Sequence, residues 1–332
     1  MNTPDRIIIR LPRHIRVMAG FTIIEMMISI AIGLLVVAAL TGVLVSNSQS
    51  SKTNERTSEL QSNGRYALDQ LKRELHHAGY RGYTPVAPES VGWTTPTITN
   101  ECGVAGSFAK NFRQRVWGGN DINGDNSDNP FSGNCISGVS VSRTYRQGDV
   151  LVIRRAAGTP TLTVDANANT IYLRSSYSSI NMLQGSALPA AVTAGTENFA
   201  LQVYVYYIGS ADNNSAIPAL RRIALVGNAM IDEMMVSGIE QMQFEYGITN
   251  TDGTTQYFTA NNISGSHSAT GATDWDKVSS VRIWLLARNS QAENGYNNTN
   301  TYTLSNRLYG PVNDSFRRQV FTTVVQLRNF RN

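Results

Sequence analysis

The densest run of oxygen-bearing side chains is Asp121-Ile122-Asn123-Gly124-Asp125-Asn126-Ser127-Asp128-Asn129. Asp121, Asn123 and Asp125 alternate, which is how a tight loop wraps a hard cation such as calcium with oxygen ligands. Asn126 stands where such loops usually turn on glycine, and Ser132 falls where a bidentate carboxylate would close the shell. A calcium site at Asp121, Asn123 and Asp125 and a plain polar turn are the two readings of this stretch. Cys102 and Cys135 bracket it, and the chain has no other thiol. Neither belongs to a CxxC or Cys/His pattern, so the spacing does not favour zinc. Outside the cytoplasm the pair is expected to form a disulfide, worth about 4 kcal/mol by loop closure, and two buried thiols are the alternative.

Catalytic groupings are sparse. The four histidines are His14, the neighbours His76 and His77, and His267 in an Asn/Ser-rich loop. Adjacent helical residues point about 100° apart, so His76 and His77 cannot chelate a metal alone. Neither a zinc-protease HExxH, a GxSxG elbow nor a phosphate-cradling or dinucleotide glycine pattern occurs. Asp274 and Asp276 flank Trp275 and imitate a carboxylate pair, but a turn ahead of the strand at Val278 is the expected reading. The doublets Arg154-Arg155, Arg221-Arg222 and Arg317-Arg318 would point to opposite faces on strands, which opposes a single basic patch. An enzyme is not expected, no cofactor is required, and no nucleic-acid contact is indicated.

Charge and hydropathy are unevenly spread over the 332 residues, of which 41% are hydrophobic and 16% charged. Arg6, Arg10, Arg13 and Arg16 stand against Asp5 in the first twenty residues, so the segment holds +3 of the formal +4. From Phe21 to Val45 only Glu25 is charged. A helix of that length rises about 37 Å, enough to cross a bilayer core of roughly 30 Å with some tilt. The arginines before it would stay on the cytoplasmic side. A carboxylate within such a span costs a few kcal/mol and calls for a partner, a place at the headgroup level or a proton. Cutting the chain after Gly20 would create an ammonium at Phe21 able to pair with a neighbour's Glu25. At about 4 Å and an effective dielectric of 20 that attraction is about 4 kcal/mol, similar to the desolvation cost, which suits a register device.

No proline interrupts Phe21 to Thr84, so one helix is expected to run to about Ala78, with Gly79 and Gly82 as stops. Its later apolar positions, Leu60, Ala67, Leu68, Leu71, Leu75 and Ala78, form one narrow stripe suited to lying on a sheet. Gly64 weakens this half by roughly 1 kcal/mol relative to alanine. Ala38 and Gly42 form a small pair one turn apart, compatible with close helix packing. Strand-like runs follow at 149–155, 170–174, 199–207, 221–226, 239–247, 278–287 and 320–327, between polar loops. Residues 201–207 alternate in a pattern that predicts one wetter face. The fold class is α+β, a long N-terminal helix packed on an antiparallel β-sheet head.

Gly20-Phe21-Thr22-Ile23-Ile24-Glu25 resembles the class III signal of type IV pilins. Family leaders often carry Lys or Arg directly before the glycine, whereas Val17-Met18-Ala19 intervenes here. The blocks 63–68 (NGRYAL), 77–82 (HAGYRG), 236–247 (VSGIEQMQFEYG) and 317–329 (RRQVFTTVVQLRN) are similar to PilW-like minor pilins. The resemblance implies a type IV pilin-like fold, cleavage after Gly20, methylation of the Phe21 amine and an assembly-register role for Glu25. It divides the chain into a cleaved leader (1–20), a transmembrane and filament-core helix (21–45), its amphipathic continuation (46–80) and a β-rich head (81–332).

A minor pilin so implied helps prime type IV pili through a minor-pilin complex, is incorporated, and sits at the tip, serving adhesion and twitching motility. Implied partners are other minor pilins, the major pilin, the prepilin peptidase, the inner-membrane assembly platform and a tip adhesin. The chain would lie in the inner membrane with its head in the periplasm, then in the pilus at the cell surface. A J-like pseudopilin of type II secretion shares the leader chemistry, and a membrane-tethered adhesin or ligand-binding module is the reading of another class.

Overall fold

A computed structural model describes residues 20–84, 92–93, 96–103, 108–121, 131, 135, 145–190, 193–250, 252–267, 269 and 271–329. The chain divides into two compact units, Met1–Asn54 and Glu55–Asn332. Helix α1 (Ile23–His77) supplies residues to both. In the first unit every described residue through Lys52 is exposed, including all the large apolar side chains from Phe21 to Val45. Here α1 is long and apolar enough to cross a membrane. Its hydroxyls do not undermine that property. Ser29 donates to the Glu25 carbonyl at 2.7 Å and Thr41 to that of Val37 at 2.6 Å, so each is satisfied within the helix.

The second unit begins with the last turns of α1 and continues, among the described residues, through fourteen strands. These are β1 (Gly92–Trp93), β2 (Val116–Gly119), β3 (Val150–Ala156), β4 (Ile171–Ser176), β5 (Ile180–Gln184), β6 (Thr196–Ala211) and β7 (Asn214–Val226). After them come β8 (Ala229–Ser237), β9 (Ile239–Thr249), β10 (Thr255–Phe258), β11 (Val278–Arg288), β12 (Tyr302–Leu304), β13 (Arg307–Tyr309) and β14 (Arg318–Gln326). An eight-stranded sheet runs β1-β5-β4-β6-β3-β2, with β7 joining β6 to β8. A four-stranded sheet runs β10-β9-β11-β14, and β12 and β13 form a hairpin. Pairing is antiparallel except between the short β1 and β5. The expected α+β architecture, a long apolar-started helix with antiparallel sheets, is thus present.

The apolar stripe of α1 performs as its spacing predicts. Leu60, Ala67, Leu71, Leu75 and Ala78 are buried in the common core, and Leu68 packs against it. Each buried leucine contributes roughly 1.5–3 kcal/mol. The helix ends one residue before the expected Ala78. Gly79 follows with φ +74°, and its amide donates to the Arg154 carbonyl at 2.9 Å. A Cβ there would lie 2.8 Å from the Arg115 side chain, so the stop needs glycine both for its backbone angle and for space.

The predicted wetter face of β6 is not wet. Tyr206 is fully buried, and Tyr204 lies between two guanidinium groups, Arg155 at 5.6 Å and Arg222 at 4.6 Å from the ring centroid. Arg155 in turn pairs with Glu74 of α1 at 2.8 Å, and Arg222 with Glu233 of β8 at 2.5 Å. Alternation reported two faces correctly, but a layer of paired charges and aromatic rings covers the polar one.

Candidate functional site

At the start of α1, Thr22 is the N-cap. Its carbonyl accepts the first helical hydrogen bond, from Met26 at 3.1 Å. The Thr22 hydroxyl accepts from the Glu25 amide, while the Glu25 Oε2 accepts from both the Thr22 amide and the Thr22 hydroxyl, each at 3.2 Å. This is a reciprocal capping box, which satisfies amides that the helix itself cannot. The carboxylate that lacked a basic partner in the sequence therefore has a neutral one three residues back. The pattern T-x-x-E ahead of an apolar run is the signal that gives Thr22 away, and charge arithmetic alone missed it. Gly20 and Phe21 precede the cap and are exposed.

A second grouping lies in the 55–332 unit, where the separated sequence blocks meet. Asn63 Nδ2 donates to the Ser237 carbonyl at 3.2 Å. A Cβ on Gly64 would lie 2.2 Å from the ring of Phe321, so this glycine is the floor on which the β14 aromatic rests. The Asn329 side-chain amide donates to the carbonyls of His77 and Ala78, at 3.3 and 3.1 Å, closing the helix C-terminus. Arg115 Nη1 donates to the Asn329 carbonyl at 3.0 Å.

The same unit holds a buried ionic knot. Arg318 grips Glu240 through Nε and Nη2 and pairs with Asp314 at 2.6 Å, and Arg288 reaches Glu240 at 3.3 Å. Burial pulls the Arg318 guanidinium down, but hydrogen bonds to Asp314 and Glu240 outweigh it and leave the group raised.

Residues 205–329 match the family model described as Type IV Pilus-assembly protein W, and residues 15–41 match the prokaryotic N-terminal methylation motif. The chain carries a W-type pilus-assembly segment and an N-terminal methylation motif. The W-type match spans the end of β6 through β14, so it contains Gly238, Glu240, Arg318 and Phe321. A type IV-like pilin of solved structure from Thermus thermophilus is 15% identical, over 82% of this chain and 97% of its own, with a TM-score of 0.34. No curated protein matches.

The other predicted groups are placed as follows. Cys102 and Cys135 form a disulfide with Cα atoms 4.8 Å apart. Asn123 and Asp125 lie outside the described residues. Asp121 is held by Arg307 at 2.5 Å and by Gln243 at 2.9 Å. Its amide donates to Asp149, a fully buried carboxyl that burial pushes well above the usual range against two backbone donors. Among the described residues no group of three or more His, Cys, Asp or Glu side chains is arranged to hold a metal.

Asp274 and Asp276 lie in a one-turn helix before β11, capped by Thr273, and pair with Lys277 and Arg113 at 2.8 and 2.7 Å. His76 and His77 serve backbone carbonyls, those of Gln326 and Arg73. The arginine doublets do split between faces. Arg154 donates to the carbonyls of Phe108, Gln114 and His267, and burial brings it down to about 9, still cationic at neutral pH. Arg221 pairs with Asp212 and Asp232, and Arg317 with Glu293, so these cations are spent internally rather than gathered into a patch.

Proposed function

We propose that this PilW-like pilin is a minor subunit that helps prime type IV pilus assembly and is itself incorporated, in a complex with other minor pilins near the tip. The observation that carries the reading is the exposed apolar first unit behind a methylation motif. Residues 21–45 offer apolar surface on every side of α1, and only lipid or a bundle of similar helices can cover such a cylinder. Moving from lipid to bundle then costs little, which is the physical condition for reversible polymerisation.

In this reading the prepilin peptidase cuts after Gly20 and methylates Phe21, and the assembly platform moves the subunit from the inner membrane into the fibre. The head is periplasmic before assembly and lies at the cell surface afterwards, and Glu25 sets register. The disulfide at Cys102–Cys135 suits that oxidising side of the membrane. Many charged side chains of the head are committed to internal pairs, in keeping with a structural body.

The deciding experiment is the mass of the N-terminal peptide in sheared surface fibres and in membranes. Methylated Phe21 at the start of the chain in fibres supports the pilus subunit. The same peptide confined to membranes favours a type II secretion pseudopilin, and a chain still carrying residues 1–20 in both fractions refutes the pilin reading.

A further inference from the structure

Strand β14 forms one edge of the four-stranded sheet and pairs only with β11 among the described residues. Its register sets Gln326 opposite Ser280. Bonds from the Leu327 amide to the Ser279 carbonyl and from the Asn289 amide to the Arg317 carbonyl show that the odd-numbered residues of β14 face β11. The amides and carbonyls of Val320, Thr322 and Val324 therefore point away from the sheet. No hydrogen bond reaches these groups among the described residues, and the edge is closed only at its far end, where His76 of α1 meets the Gln326 carbonyl at 3.2 Å. From Gln319 to Leu327 the chain has no charge, proline or glycine, and Thr322 and Val324 are exposed. Proteins normally blunt an edge with such residues or with a cover. Two other edges here follow that rule. Along β8 the Met230 amide donates to the Thr99 carbonyl, and Asp232 and Glu233 follow. On β9 the Phe244 amide donates to the buried Asp149 carboxylate.

The helix beside this edge supplies the chemistry of what would cover it. His76 marks the flank of α1 that looks onto the edge. Helical positions lie about 100° apart, so Lys72 and Arg65, four and eleven residues earlier, share that flank. Both are exposed, and neither has an ion pair among the described residues. Asp69 lies on the same side and offsets one of the two charges. Arg155, Arg221, Arg317 and Arg318, in contrast, all have carboxylate partners. A strand laid on the edge would turn one face toward the level of Val320, Thr322 and Val324 and the other toward α1, because Phe321 points its ring at Gly64. We propose that β14 takes an extended segment of another chain as an added strand, uncharged on the first face and acidic on the face toward Arg65 and Lys72. A second copy of β14 does not fit, since Arg318–Gln326 holds no carboxylate to meet those cations.

The test uses the full chain in detergent micelles and three short peptides. One alternates glutamate with valine and threonine, a second has lysine in place of each glutamate, and the third has the sequence of residues 318–327. Amide hydrogen exchange is followed at Val320, Thr322 and Val324. The glutamate peptide should slow exchange at these positions by about tenfold or more, and the other two peptides should leave it unchanged. Arg65→Glu combined with Lys72→Glu, both on the exposed helix surface, should reverse the preference in favour of the lysine peptide. Exchange that the glutamate peptide leaves unslowed overturns the proposal, as does equal slowing by the lysine peptide. Slowing by the β14 peptide also overturns it, because the occupant would then be a second copy.

A second arm looks for the natural occupant. A photoreactive phenylalanine analogue replaces Thr322 in the full chain, in the cells that produce it, and the cross-linked peptide is sequenced by mass. A segment of another protein with Asp or Glu at alternate positions is expected, and the cross-link should be lost when Arg65→Glu and Lys72→Glu are added. A cross-link to a second copy of β14, to a segment without that alternation, or to nothing at all overturns the proposal. Neither arm counts fibres, so a chain that never reaches them would sink the pilus reading and leave the added strand standing.

Discussion

Arg318, the first residue of β14, grips both carboxylate oxygens of Glu240 in β9, across a separation of 78 residues. Both side chains are almost wholly buried, with Arg318 at 1% and Glu240 at 7% exposure. Removing the arginine would leave the carboxylate with the Tyr309 hydroxyl and with Arg288, the more distant cation at 3.3 Å. Arg318→Ala is expected to destabilise the protein by about 3–5 kcal/mol, because a buried charge that loses its partner is costly. Arg318→Lys should recover only part of this, since an ammonium cannot make the two-pronged contact. Denaturant midpoints of the full chain in detergent measure both. An Arg318→Ala midpoint equal to that of the unaltered protein would show the knot to be dispensable.

Gly64→Ala tests two opposing effects. Alanine favours the helix by roughly 1 kcal/mol, whereas overpacking typically costs 1–3 kcal/mol. The added carbon would sit 2.2 Å from the Phe321 ring, so the steric cost should win and the substitution destabilise. Combined with Phe321→Ala, which removes the obstacle, the same change should become neutral or stabilising relative to Phe321→Ala alone. A double-mutant cycle on thermal midpoints reads the sign reversal, and strict additivity would rule out the contact.

Asp149 should tie the stability of the fold to pH. Burial raises its carboxyl well above the unfolded value, despite amide donors from Phe244 at 2.7 Å and Asp121 at 3.0 Å and the nearby Arg307 charge. The folded state therefore holds a proton that the unfolded state has released. Its contribution to stability is fully present below the ordinary carboxylate range and is lost as pH rises toward the raised value. Asp149→Asn should flatten that part of the stability–pH curve. If the unaltered and substituted chains show parallel curves, Asp149 is not the group responsible.

Glu25→Ala should leave cleavage after Gly20 intact and impair incorporation into fibres. Peptide mass gives the first quantity, and the amount of subunit per sheared fibre gives the second. Normal incorporation and fibre number would remove Glu25 from the assembly step.

Much of this was legible in the sequence because it is local or periodic. The apolar run, its glycine stop and the strands β3, β4, β6, β7, β9, β11 and β14, built of aliphatic and aromatic runs, announce themselves by composition and spacing. β8, reading AMIDEMMVS, did not, since methionine and glutamate favour helices and only pairing with β7 makes it a strand. β2 was hidden by Gly118 and Gly119, of which Gly118 is required because a Cβ would lie 2.0 Å from the Tyr246 hydroxyl. The ionic knot was illegible for another reason. Glu240 and Arg318 each stand in a recognisable block, but their meeting depends on sheet register, which neither block contains.

Gly64 has a consequence for the opposite side of its helix. Successive residues of a helix are about 100° apart in azimuth, so seating one position under an aromatic ring selects one rotational phase for its neighbours. Within residues 55–77, any other phase would drive a side chain into the space where Phe321 tolerates only hydrogen. Arg65, Tyr66, Asp69, Lys72 and Arg73 thereby become the outward pattern, like letters brought uppermost by a keyway cut on the hidden side of a shaft. What this surface presents to its surroundings is decided by an atom the glycine lacks.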